Sequence, residues 1–138
     1  AKLLFLVDED TRAFNQIIEA FRMPKGSEKD LKTRKKAIQD ATRYATEIPL
    51  EVMKTALASM EVMEAMLKQG LPSSLSDAGV GMLCARTAVA GAYLNVRTNA
   101  RDLDDRNFAE DILSEAKKIH LEAQDREANA IELIYSRM

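Results

Sequence analysis

The sequence predicts an all-α fold, a bundle of about five long helices that pairs into a dimer. The dimer is expected from the apolar area and small residues of the first and fourth helices, and three observations carry the all-α reading. No stretch alternates apolar and polar residues at strand period. Apolar residues recur instead at spacings of three and four, which places them on one face of a helix. The five glycines and three prolines fall mainly between long helical stretches, where they mark breaks.

The first helix runs from the N-terminus to about Phe21. Leu3, Val7, Phe14, Ile17, Ile18 and Phe21 form one stripe, and Asp10 falls within it. An ionised carboxylate on a buried stripe is costly unless it is paired or lines a cavity. Asp10 is therefore either a satisfied core acid or part of a site. Met23-Pro24-Lys25-Gly26 ends this helix, and Ser27 with Asp30 three residues on reads as the cap of a second, which reaches about Thr46. Pro49 suits the first turn of a third helix, Pro49 to Gln69, and Gly70 stops it. Within it Met53, Ala56, Met60, Met63 and Leu67, bordered by Leu57, make a core stripe in which methionine fills gaps.

Leu71 to Ser76 is a loop, and Asp77 opens the fourth helix. Gly79, Gly81, Ala85, Ala88, Ala90 and Gly91 let another backbone approach closely, for tight packing, a subunit interface or a ligand. Further on, Asn95 and Asn99 share a face with Thr87 and Gly91 and read as a pocket wall or as caps of neighbouring loops. The last helix starts near Asp104 or Asp105, turns Phe108, Ile112, Ala116, Ile119 and Ala123 inward, and continues through Ile131 and Ile134 to Tyr135. Breaks are thus expected near residues 23–27, 47–49, 70–76 and 101–105.

Composition narrows the function classes. At 138 residues the chain makes one domain with a real core. Its 20 basic and 22 acidic residues are interspersed, with a net charge of −2, so no basic field offers itself to nucleic acid. The one basic cluster, Lys32-Thr33-Arg34-Lys35-Lys36, lies between Asp30 and Asp40 and reads as a solvated helix face. A single cysteine excludes an internal disulfide framework and a cysteine-based zinc site. Cys84 is expected as a buried inert thiol, and His120, alone, as a surface residue. No metal site is expected. No apolar run reaches the ~18 residues of a membrane span. The chain begins without methionine and already inside a helical pattern, so residues upstream are expected to be missing, and a cytoplasmic location is expected.

Four runs together resemble the formiminotetrahydrofolate cyclodeaminase family. They are Leu6-Val7-Asp8-Glu9-Asp10 with Ala13-Phe14-Asn15, Phe21-Arg22-Met23-Pro24-Lys25, Ser76-Asp77-Ala78-Gly79-Val80-Gly81, and Gly91-Ala92-Tyr93-Leu94-Asn95-Val96 with Asn99. The family includes the cyclodeaminase part of the bifunctional formiminotransferase–cyclodeaminase and related methenyltetrahydrofolate cyclohydrolases. The resemblance covers nearly the whole chain, residues 1–138, as one cyclodeaminase-like helical domain. The family's glycine-rich helix start is absent from it. It implies a homodimeric enzyme, a lyase of histidine degradation and one-carbon metabolism. The implied reaction closes 5-formiminotetrahydrofolate to 5,10-methenyltetrahydrofolate and releases ammonia, with the folate as substrate and no cofactor.

The resemblance places the catalytic aspartate on Asp10. Asn95, Asn99 and Asp77 are expected to orient the pterin, and Arg22 and Lys25 to meet the glutamate tail or position the loop. An upstream formiminotransferase domain is a possible partner and lies outside these residues. Two other readings stay open: a methenyltetrahydrofolate cyclohydrolase of the same fold, and a non-catalytic helical dimerisation module.

Overall fold

The computed structural model describes residues 1–137, and within them every long element is helical. Helix α1 spans Lys2–Arg22, α2 Glu28–Gln69, α3 Leu75–Ala100 and α4 Arg106–Arg137, with a short 3₁₀ turn at Pro72–Ser74 before α3. The all-α expectation holds, with four long helices rather than five. α2 is the spine, packed against each of the other three, while α3 and α4 also pack together.

The second and third expected helices are one. Ser27 opens α2 with a capping box, its hydroxyl accepting from Asp30 N while the Asp30 carboxylate accepts from Ser27 N. The helix then runs through Pro49 without a break. A proline inside a helix removes one N–H and leaves the carbonyl four residues back without its bond. That carbonyl belongs to Ala45, and Asn99 of α3 supplies the missing donor, Nδ2 to Ala45 O at 2.7 Å. The break expected at 47–49 is absent because a neighbouring helix meets the hydrogen-bonding demand. Just upstream, the buried hydroxyls of Thr42 and Thr46 donate to Ile38 O and Thr42 O and so leave no unmet polar group.

Most of the core lies between α2, α3 and α4. Met53, Met60 and Leu67 meet Met82, Val89 and Val96, with Ile112 and Ile119 closing from α4. The methionine stripe is core, as its spacing indicated. The small residues of α3 divide by position. A Cβ on Gly79 would come within 2.8 Å of the Ile134 side chain and one on Gly81 within 3.1 Å of Met63, so these two serve close packing. Gly91 has open space instead. Asp105 opens α4 by accepting from Phe108 N, as the sequence placed it.

α1 departs most from expectation. Its packing is on α2, so the neighbour can bury a single stripe, and the stripe it buries is Leu6, Ala13 and Ala20 at heptad spacing. Leu6 and Ala13 form a small second cluster with Ala45 and Ile48. The expected stripe lies about 100° around. Leu3, Val7, Phe14 and Phe21 are exposed, and Ile17 and Ile18 half-buried. Asp10 is exposed with them and is not a core acid. Cys84, expected inside, is exposed on the outer face of α3.

Candidate functional site

α1 and α3 lie on either side of the central part of α2 and leave a groove with two adjoining cavities. One, of about 390 Å³, is lined by Leu3, Leu6, Val7, Asp10 and Thr11 of α1, Pro49 and Val52 of α2, and Ala88, Ala92 and Asn95 of α3. The other, of about 230 Å³, is lined by Asp10, Phe14, Ile17, Ala45, Asn95 and Asn99. Asp10 and Asn95 line both, so one carboxylate and one amide from opposite walls stand where the cavities meet. The small side chains of Ala88 and Ala92 and the flat ring of Pro49 keep the groove open beside them.

Asn99 divides its amide between two tasks. Its nitrogen is committed to Ala45 O, and its oxygen is left as an acceptor beside the smaller cavity. Asn95 is exposed, and its side chain makes no hydrogen bond among the described residues. The two cavities bring one carboxylate and two amides together with apolar side chains, a lining suited to a small polar-edged ligand.

The other predicted residues lie elsewhere. Asp77 is exposed in the first turn of α3, about 27 Å along the helix from Asn95 at 1.5 Å per residue. Arg22 is exposed at the end of α1, about 18 Å along it from Asp10. Lys25 is exposed in the turn beyond. None of the three lines either cavity. The structure thus brings together Asp10, Asn95 and Asn99 and leaves Asp77, Arg22 and Lys25 apart from them in this chain.

Sequence reasoning missed Glu9. This neighbour of Asp10 is buried and bonded, accepting from the Tyr44 hydroxyl and from Arg12. The hydrogen bond to Glu9, with burial second, holds the Tyr44 hydroxyl above the usual phenol range. Glu9 is the satisfied core acid of α1, and its place three residues after Leu6 and four before Ala13 was the available signal. Asp10 is thereby left free to face the groove.

His120 is half-buried rather than on the surface. Its ring stacks on Tyr93 with centroids 4.6 Å apart, and its buried Nδ1 has no partner. Burial, and then the nearby Arg86 cation, hold its pKa below the ordinary histidine value. The unfolded chain therefore takes up a proton near pH 6.5 that the folded protein refuses. Stability is expected to be full above that pH and to fall as pH drops through the depressed native value. Urea midpoints measured from pH 7.5 down to 4.5 check this, since His120→Gln should flatten that part of the profile.

The formiminotransferase-cyclodeaminase family profile matches residues 1–118. A methenyltetrahydrofolate cyclohydrolase of Methylorubrum extorquens is 34% identical over 118 residues, which cover 86% of this chain and 57% of that protein. The formimidoyltransferase-cyclodeaminase of Sus scrofa is 30% identical over 137 residues, 99% of this chain and 25% of that protein. The crystal structure of a formiminotetrahydrofolate cyclodeaminase of Thermotoga maritima superposes with a TM-score of 0.85 at 18% identity. That superposition covers 98% of this chain and 63% of the other, and it establishes a shared fold. The chain thus spans a little over half of the cyclohydrolase and a quarter of the pig protein.

Proposed function

The chain belongs to the formiminotransferase-cyclodeaminase family, and we infer that the groove between α1 and α3 is the folate site of a cyclodeaminase. The observation that carries this reading is the meeting of Asp10 and Asn95 at the junction of the two cavities. N10 of 5-formiminotetrahydrofolate attacks the formimino carbon held on N5, and a tetrahedral centre forms. One group that accepts the N10 proton and returns a proton to the departing nitrogen completes the exchange, and ammonia leaves. In this reading Asp10 does both. Asn95 and the oxygen of Asn99 would fix the pterin edge, and holding N10 against the carbon would supply much of the rate.

The cyclohydrolase relative gives a second reading specific support. Water would then add to the bridging carbon of 5,10-methenyltetrahydrofolate, with Asp10 accepting its proton. Supplying the protein separately with 5-formiminotetrahydrofolate and with 5,10-methenyltetrahydrofolate separates the two. Ammonia release from the first supports the cyclodeaminase, and turnover of the second alone supports the cyclohydrolase. No turnover and no saturable folate binding would leave the helical dimerisation module.

The reading extends to a homodimer. Leu4, Phe5 and Phe21 of α1, with Val80, Leu83 and Leu94 of α3, line neither groove cavity and expose more apolar surface than single scattered residues would. Sedimentation at micromolar concentration is expected to give a dimer, and a monomer would refute the assignment. Among the described residues no helix is long and apolar enough to cross a membrane. A cytoplasmic location and a place in histidine degradation belong to the same proposal.

A further inference from the structure

We propose that folate lies along the groove in one direction, with its pterin in the smaller cavity and its p-aminobenzoyl ring in the larger, a placement that rests on the folate reading of the groove. The two cavities follow one another along the same helices. On α1 the larger reaches from Leu3 to Thr11 and the smaller from Asp10 to Ile17. On α3 the larger reaches from Ala88 to Asn95, and the smaller takes in Asn95 and Asn99. Their linings differ in kind. Apart from the shared Asp10 and Asn95, the larger is walled mainly by Leu3, Val7, Pro49, Val52, Ala88 and Ala92. Its one further polar side chain, Thr11, donates its hydroxyl proton to Val7 O within α1. The smaller presents mostly polar surface, with the Asp10 carboxylate and the amides of Asn95 and Asn99 around it.

Folate is divided in the same way. Its pterin carries hydrogen-bonding groups around its edge, whereas the benzoyl ring itself carries none. Asn99 sharpens the match. A carbonyl can only accept, so the Asn99 nitrogen is held on Ala45 O, and the oxygen alone is left for the cavity. That oxygen needs a donor, and the pterin supplies two, N3–H and the 2-amino group. The reverse placement would set those donors against Leu3, Val7 and Val52, which offer nothing in place of water, and would leave the Asn99 oxygen facing a hydrocarbon ring. Phe14 lines the smaller cavity and is 62% exposed, and a bound pterin would cover that ring. The seam of the molecule also falls on the seam of the site. N5 belongs to the pterin and N10 to the aminobenzoyl arm, so the reacting carbon lies between the two halves, and Asp10 and Asn95 line both cavities. This direction carries the glutamate arm out past Leu3. Arg22 and Lys25 then lie beyond the opposite, pterin end.

Intermolecular nuclear Overhauser effects, measured on the methyl-labelled protein saturated with folinate, read the direction. The benzoyl ring protons are expected to give cross-peaks to the methyls of Val52, Ala88 and Ala92 and none to Ile17. With 5-formyl-6-methyltetrahydropterin, which lacks the aminobenzoyl arm, the Ile17 methyl signals should still shift while those of Val52 and Ala88 stay at their free positions. Benzoyl cross-peaks to Ile17 would overturn this direction and leave the folate site standing, as would a truncated ligand that shifts Val52 and Ala88 instead of Ile17. Folinate that does not bind, or that binds without touching either set of methyls, would overturn the folate reading and the direction with it.

Discussion

Asp10→Asn is expected to cut turnover by about 10²–10⁴-fold, the range of a lost general acid–base group, with folate affinity nearly unchanged. The substitution keeps the shape and the hydrogen-bonding capacity of the side chain and removes the proton it passes on. Asp10 is exposed, so it carries no burial whose loss would confuse the result. Its neighbours supply the contrast. Asp8 lies two residues away, about 200° around the helix, and lines neither cavity. Asp8→Asn should leave turnover and stability near wild type. Glu9 is buried and tied to Tyr44 and Arg12, so Glu9→Ala should lower stability and leave the groove's chemistry in place. Steady-state kinetics and denaturant melts of the three variants separate the roles. Wild-type turnover in Asp10→Asn would remove the carboxylate from the mechanism.

The second large effect concerns Pro49 and Asn99. Asn99→Leu takes the donor from Ala45 O, a carbonyl that Pro49 has already deprived of its helical bond. Ala45 is buried, and an unmet buried acceptor costs about 1–3 kcal/mol. Pro49→Ala restores an N–H four residues after that carbonyl, so in its background Asn99→Leu should cost about 1 kcal/mol less. Denaturant unfolding of the wild type, both single variants and the double variant closes the cycle. Strict additivity, a coupling below about 0.3 kcal/mol, would mean that the Asn99 bond does not answer the proline.

The role of Asn99 also explains how the site is held. The bond anchors the C-terminal part of α3 to α2, one turn from Asn95, which faces Asp10 across the groove. An asparagine expected to contact substrate divides between fold and site, its nitrogen serving the helix and its oxygen left toward the cavity.

Local pattern was enough for much of this protein. Helical periodicity and the lack of strand alternation determined the fold class, because both are properties of neighbouring residues. Ser27 and Asp30 identified a capping box that closes within four residues, and Met53, Met60 and Leu67 identified a core stripe that turned inward as read. That Asn95 and Asn99 share a helix face, and that Asp10 lies on an apolar stripe of α1, was also legible; that these faces border one groove was not. Tertiary structure decided the rest. Whether Pro49 breaks a helix depends on a donor fifty residues away in sequence, which no local pattern contains. Which stripe of α1 is buried depends on its packing against a single neighbour, and heptad spacing at Leu6, Ala13 and Ala20 won over the larger residues beside it. Asp77, taken with Asn95 from the family resemblance and its polarity, lies eighteen residues away along α3 and lines neither cavity of this chain. A sequence fixes which residues share a face; the neighbours that meet each face decide which of them is core, which is groove and which is left to solvent.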